Sequence, residues 1–156
     1  FPSMSEEQKP SPEEYGAFVK GLELTRVRMV RSQVEAPYPI SDASTVSIEL
    51  ERDTQFLVHE EISSFEALSR FDLTFDEEGA DEPVGTISVT YSFLYEGDMV
   101  DEEVDLDPYF EIFADVSLPV NVWPFVREFV HNASSRVDWP KLDLPLVKPG
   151  LEGDPQ

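Results

Sequence analysis

Between Thr86 and Tyr95, Ile87, Val89, Tyr91, Phe93 and Tyr95 alternate with Thr86, Ser88, Thr90, Ser92 and Leu94. An uninterrupted period of two places successive side chains on opposite faces, so this segment is a strand with one apolar and one polar face. Such a strand constrains everything around it. Its apolar face must be buried against helices, a second sheet or another chain. The rest of the sequence is therefore read for sheet partners and for the layer that covers them.

Three further segments read as strands. Phe71, Leu73 and Phe75 alternate with Arg70, Asp72, Thr74 and Asp76. The stretch from Glu77 to Gly85, rich in acids, Gly and Pro, joins this run to the first as a hairpin. The segment Tyr109–Leu118 puts Phe110, Ile112, Ala114, Val116 and Leu118 on one face, reached through the acidic loop 96–108. An early strand spans Leu22–Val34, where the alternation slips once between Leu24 and Val27, as a bulge would cause. Turn-length connections make an antiparallel meander the natural pairing. Residues 42–66 fit no single pattern: Val46, Ile48 and Leu50 alternate as a short strand or extended crossover would, and 54–65 is compatible with helix or strand.

Helical spacing follows Pro119, where Val122, Phe125, Val126, Phe129, Val130, Ala133 and Val137 recur at steps of three and four. Pro124 suits a first-turn position and Pro140 disfavours helix at Trp139, so the helix should end near Val137. Four strands and then one long amphipathic helix define an α+β fold. A helix is about 10 Å wide and strands lie about 4.8 Å apart, so one helix leaves part of a four-stranded apolar face open. Oligomerisation or a bound polypeptide segment would cover the remainder.

The ends differ from the middle. Residues 1–16, with Pro2, Pro10, Pro12 and Glu6, Glu7, Glu13, Glu14, read as a flexible acidic arm, and 148–156 as a flexible tail. One domain is expected over 17–147. Among 156 residues, 33 acids against 11 bases give a net charge of −22, a field that disfavours nucleic acid and anionic membranes as partners. The acidity suits attraction of basic clients, solubility of a sticky surface, or a high-salt cytoplasm. No Cys is present, which excludes thiolate chemistry and accords with a reducing, cytoplasmic setting, as does the lack of a signal pattern or a membrane-length apolar run.

The residues nominate no catalytic chemistry. His59 and His131 lack metal-ligand spacing and read as solvated or locally hydrogen-bonded, and the acids of the 98–107 loop lack the ligand spacing and sixth-position Gly of a calcium loop. Neither a phosphate-binding Gly loop nor a Gly-x-Ser-x-Gly elbow occurs. A non-enzymatic protein with no cofactor and no metal is expected. Most aromatics read as core; Val46, Ile48 and Leu50 divide between strand packing and contact with a bound polypeptide.

From Trp123 the sequence reads Trp-Pro-Phe-Val-Arg-Glu, then Ser134-Ser135-Arg136, then Trp139-Pro140-Lys141-Leu142-Asp143-Leu144. This resembles the signature helix of the SecB protein-export chaperones. Leu22–Pro37, ending in Val34-Glu35-Ala36-Pro37, is similar to the family's opening strand, and Thr45–Leu50 to the crossover segment after it. The resemblance implies a four-stranded antiparallel sheet with a long helix, assembled as a dimer of dimers. It implies an ATP-independent holdase that captures unfolded polypeptide in apolar grooves and passes it to the SecA motor. On that reading Val46, Ile48, Leu50, Tyr109, Phe110 and Trp123 bind clients, and Val27, Met29, Phe125, Phe129 and Arg136 lie at oligomer interfaces. Glu35 matches a SecA contact, whereas Arg31 stands where the family has an acid. Pro149 and Gly150 follow Val147 where the family places a second helix, so one groove wall is expected to be missing. The arm and residues 54–65 have no family counterpart, which suits a divergent branch, some of which serve one antitoxin. An acidic adaptor that binds one folded partner is the competing expectation.

Overall fold

The computed structural model describes residues 9–98, 105–142 and 144. Strands β1 (Glu23–Glu35), β2 (Val46–His59), β3 (Ser64–Glu77) and β4 (Gly85–Glu96) form one antiparallel sheet in the order β1-β4-β3-β2. Helices α1 (Pro12–Lys20), α2 (Asp107–Asp115) and α3 (Ser117–Arg136) accompany it. The α+β class and the four-stranded antiparallel sheet are as expected. Strand membership and pairing both differ: residues 46–59, which fit no single pattern in the sequence, supply a strand in place of 109–118, β2, β3 and β4 form the meander, and β1 joins its far side against β4.

The alternation around Thr86–Tyr95 and Phe71–Phe75 forms the buried centre of the sheet. Ile87, Val89 and Phe93 on β4, and Phe65, Leu73 and Phe75 on β3, are all but inaccessible to solvent on the helix-bearing face. Strand β1 carries the expected bulge, at Thr25 between Leu24 and Arg26, and a second at Val30 between Met29 and Arg31. Residues 46–77 make a long hairpin, closed by a short turn of 3-10 helix at Glu60–Ile62 and by Ser63 in the left-handed region, φ 50°. The uncertain stretch 54–65 is thus the tip of that hairpin.

Two expectations are overturned. The segment Tyr109–Leu118 is helical. Leu106, Phe110 and Phe113 are buried at steps of four and three, and Pro108 opens the first turn. The period-two reading of the same residues failed because an apolar run this dense satisfies both periods. Residues 12–16, expected within the flexible acidic arm, belong instead to α1, which begins at residue 12. Ser11 and Glu14 form a reciprocal capping box, with Ser11 N donating to Glu14 Oε1 at 2.7 Å and Glu14 N to Ser11 Oγ at 3.1 Å. Tyr15, Phe18, Val19 and Leu22 then lie at helical spacing, with Phe18 buried among Phe65, Tyr109 and Phe113. Residues 1–8 and the proposed tail 148–156 lie outside the described residues.

Helix α3 ends at Arg136 as the Pro140 argument requires, with Asp138 left-handed at φ 60°. It starts earlier than expected, so Pro124 falls inside it rather than in its first turn. The carbonyl of Val120 thereby loses its helical donor, and Val120 is exposed enough for water to replace it. Beyond the helix, Trp139 packs on Phe75 at 5.2 Å and donates its indole N–H to the Tyr38 carbonyl at 3.1 Å. Gly85 permits this approach: a Cβ there would lie 2.6 Å from the Trp139 ring and 2.5 Å from the Glu35 carbonyl.

Because Phe18 ties α1 to the sheet, Phe18→Ala should destabilise the chain by about 3 kcal/mol, the usual cost of emptying a buried phenylalanine site. Denaturant unfolding measures it. A loss below about 0.5 kcal/mol would mean that α1 contributes nothing to the core.

Candidate functional site: two open edges of the helix-bearing face

Helices α2 and α3 lie over the central strands and leave both edges of the apolar face partly uncovered. Cross-strand rows show how. Val27, Phe93, Ala67 and Phe56 form one row, and Val34, Ile87, Leu73 and Leu50 another. In each the two central residues are buried and the outer two are at least partly exposed.

On the β2 edge, Val46, Ile48 and Leu50 share the face that carries the helices; Val46 and Ile48 are half-buried and Leu50 is 42% exposed. Further along the same edge Phe56 stacks on Phe110 at 4.3 Å, and Val58 is 40% exposed. Between these apolar stretches stands Arg52, its side chain 13% exposed and 3.7 Å from Asp115 at the end of α2. Among the described residues strand β2 pairs only with β3, which leaves its outer backbone edge without a strand partner.

The remaining client-binding candidates sit deeper. Phe110 is 7% and Trp123 4% exposed, the latter against Phe71 at 5.8 Å, so both form the wall behind the β2 edge rather than its surface. Tyr109 leans on Phe18 at 5.0 Å, and burial raises its hydroxyl pKa. Val46, Ile48, Leu50 and Trp123 therefore belong to one side of the molecule, whereas Tyr109 faces α1. Arg52, Phe56 and Val58 were missed in the sequence, because residues 42–66 fit no single pattern.

The β1 edge is the second opening. Val27 is half-buried, Met29 is 42% exposed, and Leu24 and Val30 are comparably open. Facing them on α3, Phe125 is 36% exposed and Val120 45%, with Phe129 half-buried one turn beyond Phe125. Phe125 is thus a partly open residue rather than full core. Its ring meets Phe93 edge-on at 5.4 Å, and its carbonyl accepts from the Tyr91 hydroxyl at 3.1 Å. Arg136 is exposed in the last turn of α3, where a cation complements the helix dipole. A cleft of about 530 Å³ continues this edge between α1 and α3, lined by Leu22, Leu24, Phe113, Val120 and Asn121 among others.

The opposite face of the sheet is polar. Glu66 accepts from the Ser92 hydroxyl, lies 3.5 Å from His59 Nε2 and 3.7 Å from Arg28, and its carboxyl pKa is lowered, chiefly by the Ser92 bond. His59 is therefore locally paired, and His131 is exposed on α3. Glu35 ends β1 on this polar face, opposite Thr86. Among the described residues no group of three or more His, Cys, Asp or Glu is placed to hold a metal, and no helix is long and apolar enough to cross a membrane.

Under the β1 edge two tyrosines are strongly perturbed. Burial pushes the hydroxyls of Tyr91 and Tyr95 up to about 12; the charge of Glu128 adds to the first, and donation from Asn121 partly offsets the second. An unfolded tyrosine titrates near ~10. Between these values the folded chain keeps protons that the unfolded chain has lost, so stability should fall as pH rises through that window. Alkaline unfolding should coincide with tyrosinate absorbance, and Tyr91→Phe should shift it upward.

No family model matches the chain, and no curated protein matches it in sequence. Solved structures do. The SecB-like chaperone Rv1957 of Mycobacterium tuberculosis, in complex with a ChAD peptide from the antitoxin Rv1956 HigA1, superposes with a TM-score of 0.72 at 18% identity, covering 83% of this chain and 93% of that one. A protein of unknown function from Streptococcus agalactiae aligns over 80% of this chain and 97% of that one at 12% identity, with a TM-score of only 0.38. The first superposition, together with the four-stranded antiparallel sheet and its covering helices, shows that this chain has a SecB-like fold.

Proposed function

We propose that the chain is an ATP-independent chaperone that holds non-native polypeptide along the β2 edge of its apolar face. The observation that carries this reading is the edge itself: Leu50 and Val58 are open to solvent and Ile48 half-buried beside a strand backbone left unpaired by the described residues, over a wall of Phe71 and Trp123. An extended client gains main-chain hydrogen bonds from the strand and apolar burial from alternate side chains, neither of which demands a particular sequence. Val46, Ile48 and Leu50 make the contacts; Phe110 and Trp123 hold the wall, and Tyr109 extends the surface toward α1.

A second opening serves assembly on this reading. Val27, Met29, Phe125 and Phe129 supply an apolar patch beside the free edge of β1, with Arg136 at its border, suited to a self-associating surface that builds a dimer and then a dimer of dimers. The same fold in complex with an antitoxin peptide supports polypeptide capture and favours a dedicated client as the narrower alternative to a general export role. Glu35 is the one residue that supports docking to a SecA-type motor. Arg31, two same-face positions earlier on β1, stands with the opposite charge where the family has an acid, so export handover is the narrower branch of the proposal. A cytoplasmic site of action goes with this reading.

A denatured model protein should stay in solution at stoichiometric chaperone without ATP. Ile48→Ser and Leu50→Ser should each weaken capture about fivefold, equivalent to about 1 kcal/mol of lost apolar burial. Binding indifferent to both changes but abolished by high salt would instead favour an acidic adaptor. Met29→Glu with Phe125→Glu should reduce the molar mass measured by light scattering, leaving the far-ultraviolet circular dichroism unchanged.

A further inference from the structure

The β2 edge that captures a client on the reading above is also a hazard, because a second copy of the chain carries the same edge. Strand β2 is 14 residues long, pairs with β3 in unbroken register, and has apolar residues on its helix-bearing face. An edge of this kind is a template for another strand unless something in it resists pairing. Two copies pair most simply about a two-fold axis normal to the sheet, which sets the strands antiparallel and matches like face to like face. The same-face register that uses most of β2 places that axis at Arg52. Val46 then falls opposite Val58, Ile48 opposite Phe56, and Leu50 opposite Thr54. On apolar contact alone such a pairing is favourable.

Charge at the middle of the strand opposes it. On the helix-bearing face Arg52 of one copy meets Arg52 of the other, and like charges directly opposite destabilise a strand pair. The guanidinium is held at this edge 3.7 Å from Asp115, whose side chain is 71% exposed, and a second strand would strip water from that pair. On the polar face Glu51 falls opposite Asp53, twice by symmetry. Strand β3 behind them sets Asp72 against Glu51 and Arg70 against Asp53, and Arg70 already donates Nε to Asp72 at 3.2 Å. Sliding one copy by two residues brings no relief. One direction sets Asp53 against Asp53; the other sets Glu51 against Glu51 and Glu49 against Asp53.

We infer that Glu51, Arg52 and Asp53 exclude a second copy of the chain from the β2 edge and so reserve it for a different polypeptide. Their place in the strand is what makes them effective. A charge near the two-fold axis meets its own counterpart in the fullest registers, whereas a charge at either end of β2 would be avoided by a small slide. A client is free of this symmetry, since it need set no cation against Arg52 and no acid against Glu51 or Asp53. The purpose assigned to the block rests on capture at the β2 edge; the exclusion itself rests on the order of residues in the strand.

The test compares the full chain, without any client, with three variants: Arg52→Leu, Arg52→Lys, and the double change Glu51→Gln with Asp53→Asn. Sedimentation velocity over a concentration series reads self-association, and amide hydrogen exchange reads which strand pairs. Arg52→Leu should strengthen self-association about tenfold and slow exchange at the β2 amides that point away from β3. The double variant, altered only at exposed positions, should do the same to a smaller degree, and it carries the test if Arg52→Leu disturbs the far-ultraviolet circular dichroism. Arg52→Lys keeps the charge and should match the unaltered chain. Unchanged mass in the neutralised variants, added mass without β2 protection, or self-pairing by Arg52→Lys overturns the inference. So does β2 protection in the unaltered chain. Failure of the unaltered chain to hold a denatured model protein, with the variants behaving as described, would sink the capture reading alone.

Discussion

Phe65 is the residue on which the arrangement of layers depends. Its ring lies within 6.2 Å of Phe18 on α1, Phe56 on β2, Tyr95 on β4, and Phe110 and Phe113 on α2. One side chain at the start of β3 therefore joins the hairpin tip, the central strand and two helices. Aromatic rings bury large areas and lock their neighbours through edge and offset contacts. This cluster fixes α2 and α1 over one end of the sheet. Trp139 holds the other end through Phe75 and Tyr38.

Pinning the covering layer over the central strands has a cost at the margins. Three helices cannot cover strands of 12 to 14 residues across all four positions, so the rows are dry in the middle and wet at both ends. On the β2 side this leaves aliphatic side chains beside a free strand backbone; on the β1 side it leaves Met29 and Phe125. The two openings differ in what can close them. Two twisted bulges and a facing helix give β1 a shaped surface, suited to one fixed partner. The β2 edge is regular in register along its whole length.

The acid excess is distributed so as not to disturb this face. Outward positions of β2 carry Glu49, Glu51 and Asp53, whereas outward positions of β1 carry Arg26, Arg28 and Arg31. The polar face is thus graded from basic to acidic across the sheet even though the chain as a whole is strongly acidic. A uniform negative surface would repel most acidic polypeptides.

Sequence by itself determined the elements whose periodicity admitted one answer. The alternation through Ile87 to Tyr95 could only be a half-buried strand and the steps from Val122 to Ala133 only a helix, and a bulge was the simplest cause of the slip after Leu24. The alternation of Val46, Ile48 and Leu50 was visible too, but it fitted a short strand and an extended crossover alike. Tertiary structure decided the rest. Phe110 to Leu118 satisfies two periods, and packing against Phe56 and Phe65 chose the helix. Tyr15, Phe18 and Leu22 were hidden among acids and prolines, and become a helix face only because an aromatic cluster stands ready to bury Phe18. The place of β1 beside β4 depends on which strands pair. Pairing joins residues dozens of positions apart, a choice that local spacing does not contain.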